Sequence, residues 1–131
     1  MEQRDEYCQL IKTRTQNLAE TYQRRIAFIF CQLVEGDLDK LGTEALRLVE
    51  HLSLGSAYSM KCKSYQKKLQ RNLPKDDSLS FYSPLIWALE EHSNSYPAWY
   101  SAGIVGINIV DLNKSTYPDL TSIVEKYLGT L

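Results

Sequence analysis

The chain has 131 residues, of which 44% are hydrophobic and 24% charged, and its formal net charge at pH 7 is -1. This length and composition are those of one globular domain and exclude a disordered or fibrous chain. The three cysteines form no C-x-x-C pair, and the charged start, MEQRDEYCQL, lacks the apolar region of a secretory signal. We therefore expect a cytoplasmic protein with a single domain over residues 1–131.

The first half of the sequence has the pattern of amphipathic helices. Apolar residues recur with a period close to 3.6 from residue 3 to 35, which predicts one long N-terminal helix ending at Gly36. Thr43 is predicted to cap a second helix, and Gly55 either ends that helix or lies inside a longer one. A third apolar helical stripe is formed by Tyr58, Cys62, Tyr65, Leu69 and Leu73.

Three prolines mark helix starts in the second half. Pro84, Pro97 and Pro118 each precede an apolar segment, and proline is favoured in the first turn because the N–H it lacks would have no helical partner there. Residues 72–80, NLPKDDSLS, connect the two halves. The sequence thus predicts an all-α, single-domain bundle of five to six helices, since no segment alternates with period two for long enough to require a sheet.

The segment from 97 to 112 is the most apolar in the chain. Its run over residues 104–110 is far shorter than the roughly 20 residues that span a bilayer as a helix, and its glycines lack the spacing of a phosphate-binding loop. We therefore expect no membrane segment. A buried helix is predicted, and the β-branched residues leave a strand at 104–110 as the alternative.

The predicted helix at 97–112 has a strip of small residues along one side. Ala98, Ala102 and Gly106 are spaced four apart, so they share a face. Such a strip lets another helix approach closely, either from the same chain or from a second copy in a homodimer.

Charge is distributed unevenly along the chain. Residues 56–75 hold six basic residues and no acid, whereas residues 76–131 hold seven acids and two bases. Five of the basic residues are predicted to lie opposite the apolar stripe of their helix, on a surface called the basic face below. That face is either solvated or a contact surface for an acidic partner or phosphates, and a sequence pI near 6.1 argues against nucleic acid. Its residues are Lys61, Lys63, Lys67, Lys68 and Arg71.

The acidic third of the chain also holds many of the aromatic residues. Tyr and Trp bury a large rigid area and keep a polar tip, so aromatic residues set among acids suit the anchors of a protein interface. Core packing is the alternative, above all for Trp87 and Trp99. The residues predicted to bind a partner protein with a basic surface are Tyr82, Glu90, Glu91, Tyr96 and Tyr100.

Catalysis has one compact candidate, Glu90-Glu91-His92, expected on the last turn of the Pro84 helix. Neighbouring helical residues point about 100° apart, so Glu91 and His92 are poorly placed to act on one substrate. The histidines and cysteines show no zinc-binding spacing, and no nucleophile-elbow or haem-attachment motif is present. We therefore predict a non-catalytic protein without a metal or other cofactor.

Within residues 24–55, RRIAFIFCQLV followed by EALRLVEHLSLG resembles the paired helices of short all-helical bacterial immunity proteins. The resemblance implies a small, catalytically silent protein that neutralises a partner toxin. An inhibitory, protein-binding module is thus the predicted function. The alternative is a nucleic-acid-associated or complex-assembly subunit that uses the basic face, and a third hypothesis is a small enzyme centred on His92.

Overall fold

The computed structural model describes residues 2–76 and 78–131, and these ranges contain helices and no β-strand. The predicted all-α class is confirmed, and the alternative strand at 104–110 is wrong because that segment lies inside a helix. The α-helices are α1 (Gln3–Thr15), α2 (Glu20–Cys31), α3 (Lys40–Ser53), α4 (Met60–Arg71), α5 (Ser83–Ala88), α6 (Ala98–Asp111) and α7 (Tyr117–Leu128). A 3-10 helix over Gln32–Asp37 extends α2.

The predicted N-terminal helix over residues 3–35 is divided. α1 ends at Thr15 and α2 begins at Glu20, so the described ranges hold seven α-helices where five to six were predicted. The buried Gln23 side chain stabilises the break, because its Nε2 donates hydrogen bonds to the carbonyl oxygens of Thr15 and Leu18, at 2.7 and 3.1 Å. The last carbonyls of a helix have no helical N–H to accept from, and Gln23 supplies one for them.

Local hydrogen bonds fix both ends of α3. Asp39 caps the first turn by accepting from the N–H of Gly42 at 2.9 Å, so the predicted cap at Thr43 is wrong and Thr43 lies within the helix. At the other end Gly55 has a φ of +100°, and the N–H of the next residue donates to the carbonyl of His51. This is the Schellman arrangement, which favours glycine because it has no Cβ.

The three prolines begin or precede helices, as predicted. Pro84 and Pro118 lie in the first turns of α5 and α7, whereas Pro97 immediately precedes α6. α5 ends earlier than predicted, at Ala88, so residues 90–92 follow the helix instead of forming its last turn. The physical reason is a buried arginine of α2, which donates to the Ala88 carbonyl that a longer helix would have used.

α6 lies at the centre of the bundle and packs against α1, α2, α5 and α7. One core of buried apolar side chains joins these helices. Among its largest members are Phe28, Phe30, Leu85, Ile109 and Leu120. Within the described ranges, no helix is both long enough and apolar enough to cross a membrane.

The strip of small residues on α6 is buried within the chain. The Tyr7 hydroxyl of α1 donates a hydrogen bond to the Ala102 carbonyl at 3.3 Å and fills the space that a side chain at Gly106 would need. A Cβ at that position would also lie only 3.1 Å from Leu120 of α7. Because Gly106 has no side chain, α1 can pack closely against α6.

Candidate functional site

A groove of about 410 Å³ opens between the end of α4, α5 and α6. Its volume falls within the range of sites that bind small molecules or side chains. Two of its walls are aromatic, Trp87 and Tyr96, and its polar lining consists of Gln70, Ser83, Glu90 and Asn108. Of the described residues that line the groove, Glu90 is the only charged one.

Trp87, Tyr96 and Tyr100 form a surface cluster, called the aromatic triad here. Their ring centroids are 5.9 to 6.2 Å apart and their planes are inclined to one another by 52° to 67°. Such edge-to-face contacts are favourable beyond the area they bury, so the rings hold one another in place. Tyr96 and Tyr100 nevertheless stay 45% and 38% exposed. Trp87, for which the sequence favoured core packing, is half-buried and supports the two exposed tyrosines.

The Glu90 side chain is positioned beside the triad by a buried glutamine of α4. Gln66 Nε2 donates to Glu90 Oε2 at 2.5 Å and to the Ile86 carbonyl at 2.9 Å. The Glu90 backbone carbonyl accepts from the buried Arg24 guanidinium at 3.3 Å. Within the described part of the chain no hydrogen bond is made to Glu90 Oε1. The carboxylate is therefore fixed while one oxygen remains able to accept from a ligand.

Two of the predicted partner-binding residues lie away from this groove. The Tyr82 hydroxyl donates to the Asp39 carboxylate at 2.5 Å, so its ring packs at the start of α3. Burial, and then this hydrogen bond, raise the pKa of Tyr82 to about 12. Glu91 is exposed and does not line the groove. The structure thus brings Glu90, Tyr96 and Tyr100 together, and it separates Tyr82 from them.

The acid and base groups of residues 90–92 do not converge. His92 is buried, with Nδ1 3.3 Å from the Glu20 carboxylate and Nε2 buried without a partner among the described residues. Burial, and then the charge of Arg24, lower the pKa of His92 to about 4, so the ring is neutral at pH 7. In the ranges the structure describes, no three His, Cys, Asp or Glu side chains are grouped to hold a metal ion.

The five side chains of the basic face are all exposed on α4. None of them forms an ion pair with another described residue. Lys63, Lys67 and Arg71 line a groove of about 200 Å³ together with Met60, which is 77% exposed. This surface combines unpaired positive charge with one accessible apolar side chain.

Sequence reasoning missed four polar residues of the site, Gln66, Gln70, Ser83 and Asn108. Two of them, Gln66 and Asn108, do stand out in the sequence pattern. Each occupies a position in an otherwise apolar pattern: Gln66 follows Cys62 on the buried side of α4, and Asn108 interrupts the apolar run of α6. That misfit is a usable signal, because a polar side chain on a buried stripe needs a hydrogen-bond partner. Gln66 has such partners, whereas the buried Asn108 Nδ2 has none among the described residues.

Comparison with models of known protein families, with curated proteins and with solved structures finds no significant match. The resemblance of residues 24–55 to immunity proteins therefore stays a prediction. The groove, the aromatic triad and the basic face are therefore the candidate functional surfaces of the described residues.

Proposed function

We propose that this protein binds another protein without catalysing a reaction, as an inhibitor or immunity-type protein that neutralises a partner toxin or enzyme in the cytoplasm. The observation that carries the proposal is the aromatic triad, where Tyr96 and Tyr100 are exposed and Tyr96 lines the same groove as the fixed Glu90 carboxylate. Rigid aromatic side chains next to a pocket are the usual anchors of protein interfaces, because they bury much area and lose little conformational entropy.

The charge around the triad indicates the kind of partner. Glu90 lines the groove with Trp87 and Tyr96, and Glu91 next to it in the chain is exposed. A partner with a basic surface would therefore gain both steering at long range and a complementary contact. A non-catalytic role agrees with the surroundings of His92, which is buried against Glu20 instead of facing the groove.

The test is an affinity capture from extract of the native cell, with the tagged protein and two variants. The double variant Tyr96→Ala/Tyr100→Ala is expected to lose a stoichiometric protein partner by at least about tenfold in affinity. Tyr22→Ala is the matched control, since Tyr22 is 42% exposed but lies beside a different groove with Tyr127. The proposal also requires that the captured protein be inhibited in its own activity. Equal capture by all forms would exclude the triad as the binding surface.

A second function is favoured by the unpaired charge of the basic face. A nucleic-acid-associated or complex-assembly role would use these five side chains to contact phosphates or an acidic protein. Reversing Lys63 and Lys67 to glutamate would then abolish binding, while Glu90→Lys/Glu91→Lys would leave it intact. The proposed inhibitor predicts the opposite result. A steep loss of bound nucleic acid between 50 and 200 mM salt would favour the second function, because each phosphate contact releases counterions.

A further inference from the structure

We propose that the groove beside the aromatic triad receives an arginine side chain of the partner protein. This inference rests on the proposed function, because it specifies the group that the partner presents to the same surface. Three properties of the groove favour arginine: its charge, its aromatic walls and its hydrogen-bonding groups.

The charge of the groove selects a cation. Glu90 is the only charged residue among the described ones that line it. Arg24, whose guanidinium reaches the Glu90 backbone carbonyl, does not line the groove and is paired with Glu20. The Gln66 amide holds one oxygen of the Glu90 carboxylate. The other oxygen can therefore accept a charge-assisted hydrogen bond without first having to be ordered.

The aromatic walls select a flat and weakly hydrated cation. Trp87 and Tyr96 both line the groove, with ring planes 61° apart and centroids separated by 6.0 Å. A guanidinium group stacks on such ring faces and loses less hydration than an ammonium group does when it is partly buried. An arginine can thus place its plane against one ring while its edge points toward Glu90.

The remaining polar groups of the lining match the donors of a guanidinium. Arginine carries five N–H donors, and lysine three. Besides Glu90, the groove offers the Ser83 hydroxyl and the side-chain amides of Gln70 and Asn108. In these three groups the acceptors are the hydroxyl oxygen and the two amide oxygens; the buried Nδ2 of Asn108 is itself a donor and does not bind a guanidinium N–H. The five N–H donors of a guanidinium can therefore form more hydrogen bonds with these acceptors than the three donors of an ammonium group.

The experiment titrates the 131-residue chain with N-acetyl-arginine amide and follows amide and indole signals by NMR. N-acetyl-citrulline amide is the matched probe, because it keeps the planar shape and removes the charge; N-acetyl-lysine amide keeps the charge and removes the plane. We expect saturable shifts of the Trp87 indole signal with the arginine probe. The citrulline probe should bind at least about tenfold more weakly, and the lysine probe more weakly than arginine.

Variants locate the bound probe. Glu90→Gln and Tyr96→Ala are each expected to raise the dissociation constant several-fold, whereas Glu6→Gln on α1 and Tyr22→Ala on α2 should leave it unchanged. Tyr96 is exposed, so its variant keeps the test valid if Glu90→Gln disturbs the fold. Equal binding of citrulline, a preference for lysine, or shifts that are independent of both Glu90 and Tyr96 would each overturn the arginine site.

The two proposals can fail separately. If the arginine probe does not bind while capture of the partner still depends on Tyr96 and Tyr100, the arginine assignment is wrong and the protein-binding function stands. If the probe binds as expected while capture is independent of both tyrosines, the arginine site stands and the proposed function of the triad is wrong.

Discussion

The Tyr7 hydroxyl occupies the space into which a side chain at position 106, a glycine, would project. Tyr7 is 1% exposed and its ring packs against Phe30 and Tyr117, so it has little freedom to move aside. The contact therefore sets the distance between α1 and α6, and it makes Gly106 irreplaceable in this packing.

Gly106→Ala is expected to destabilise the protein by about 2 kcal/mol. The cost of forcing Tyr7 from its position, typically about 1–3 kcal/mol, exceeds the gain of up to about 1 kcal/mol in helix propensity. Urea unfolding measures the change. Gly103→Ala is the control on the same helix, because the nearest atom outside the helix backbone to a Cβ there would be in the Ile11 side chain, at an ordinary 3.8 Å. A neutral or stabilising Gly106→Ala would contradict the close contact between Tyr7 and position 106. When Gly106→Ala is combined with Tyr7→Phe, part of the lost stability should be recovered.

Gly55→Ala is expected to cost about 1 kcal/mol of unfolding free energy. Gly55 has a φ of +100° at the end of α3, a conformation in which a Cβ is strained. Gly36→Ala serves as the control, because a Cβ there would have open space and its φ is not positive. Thermal and urea unfolding of the pair would separate strain from a general effect of the substitution. Equal stability of the two variants would count against the Schellman ending.

The stability of the protein is expected to fall between about pH 6.5 and pH 4 because of His92. The pKa of His92 is 6.5 when unperturbed and about 4 in the folded protein, where burial and then Arg24 oppose the charged form, while Glu20 favours it. Between these values the unfolded chain binds a proton that the folded chain does not, so acid favours unfolding. The loss is on the order of 2 kcal/mol. His92→Gln should remove this part of the pH dependence, and parallel stability curves for both proteins from pH 7 to pH 4 would refute it.

Arg24→Met is expected to destabilise the protein by about 2–3 kcal/mol, because it leaves the carbonyls of Ala88 and Glu90 without their donor in a buried position. It should also weaken arginine-probe binding, since Glu90 loses one of its two restraints. Arg14→Met is the control: the Arg14–Glu125 ion pair is almost half exposed, so its loss should cost less than about 1 kcal/mol. Similar urea midpoints for both variants would show that the hydrogen bonds from Arg24 to the two carbonyls do not stabilise the fold.

Much of the fold could be predicted because its helices bury periodic apolar stripes, and prolines and glycines mark several of their ends. The break at residues 16–19 could not, since apolar residues keep a helical period across it and the group that stabilises it is the Gln23 side chain. Asp39 was missed as a cap because Thr43, four residues later, is also a favoured capping residue. The sequence does not show at which of the two positions the backbone enters the helix, and in the structure it is Asp39.

The candidate site could be predicted in part. Tyr96 and Tyr100 are predicted partner-binding residues because of their acidic and aromatic surroundings, and the structure places both at the surface, in contact with each other and with Trp87. Tyr82 lies elsewhere because its hydroxyl reaches Asp39, 43 positions earlier in the chain, a contact that no local pattern encodes. The same holds for Gln66 of α4 and Glu90 of the segment that follows α5, which meet only in the folded bundle.

The packing of α1 has a consequence for biosynthesis. Tyr7 stacks near Tyr117 and Arg14 pairs with Glu125, so α1 runs parallel to α7, and both lie next to α6. α1 is translated before α2–α7, yet the surfaces that bury Tyr7 and Ile11 belong to α6 and α7, which follow much later in the chain. These apolar side chains cannot reach their native contacts until α6 and α7 have emerged, so this part of the core closes only after Leu128 has been translated.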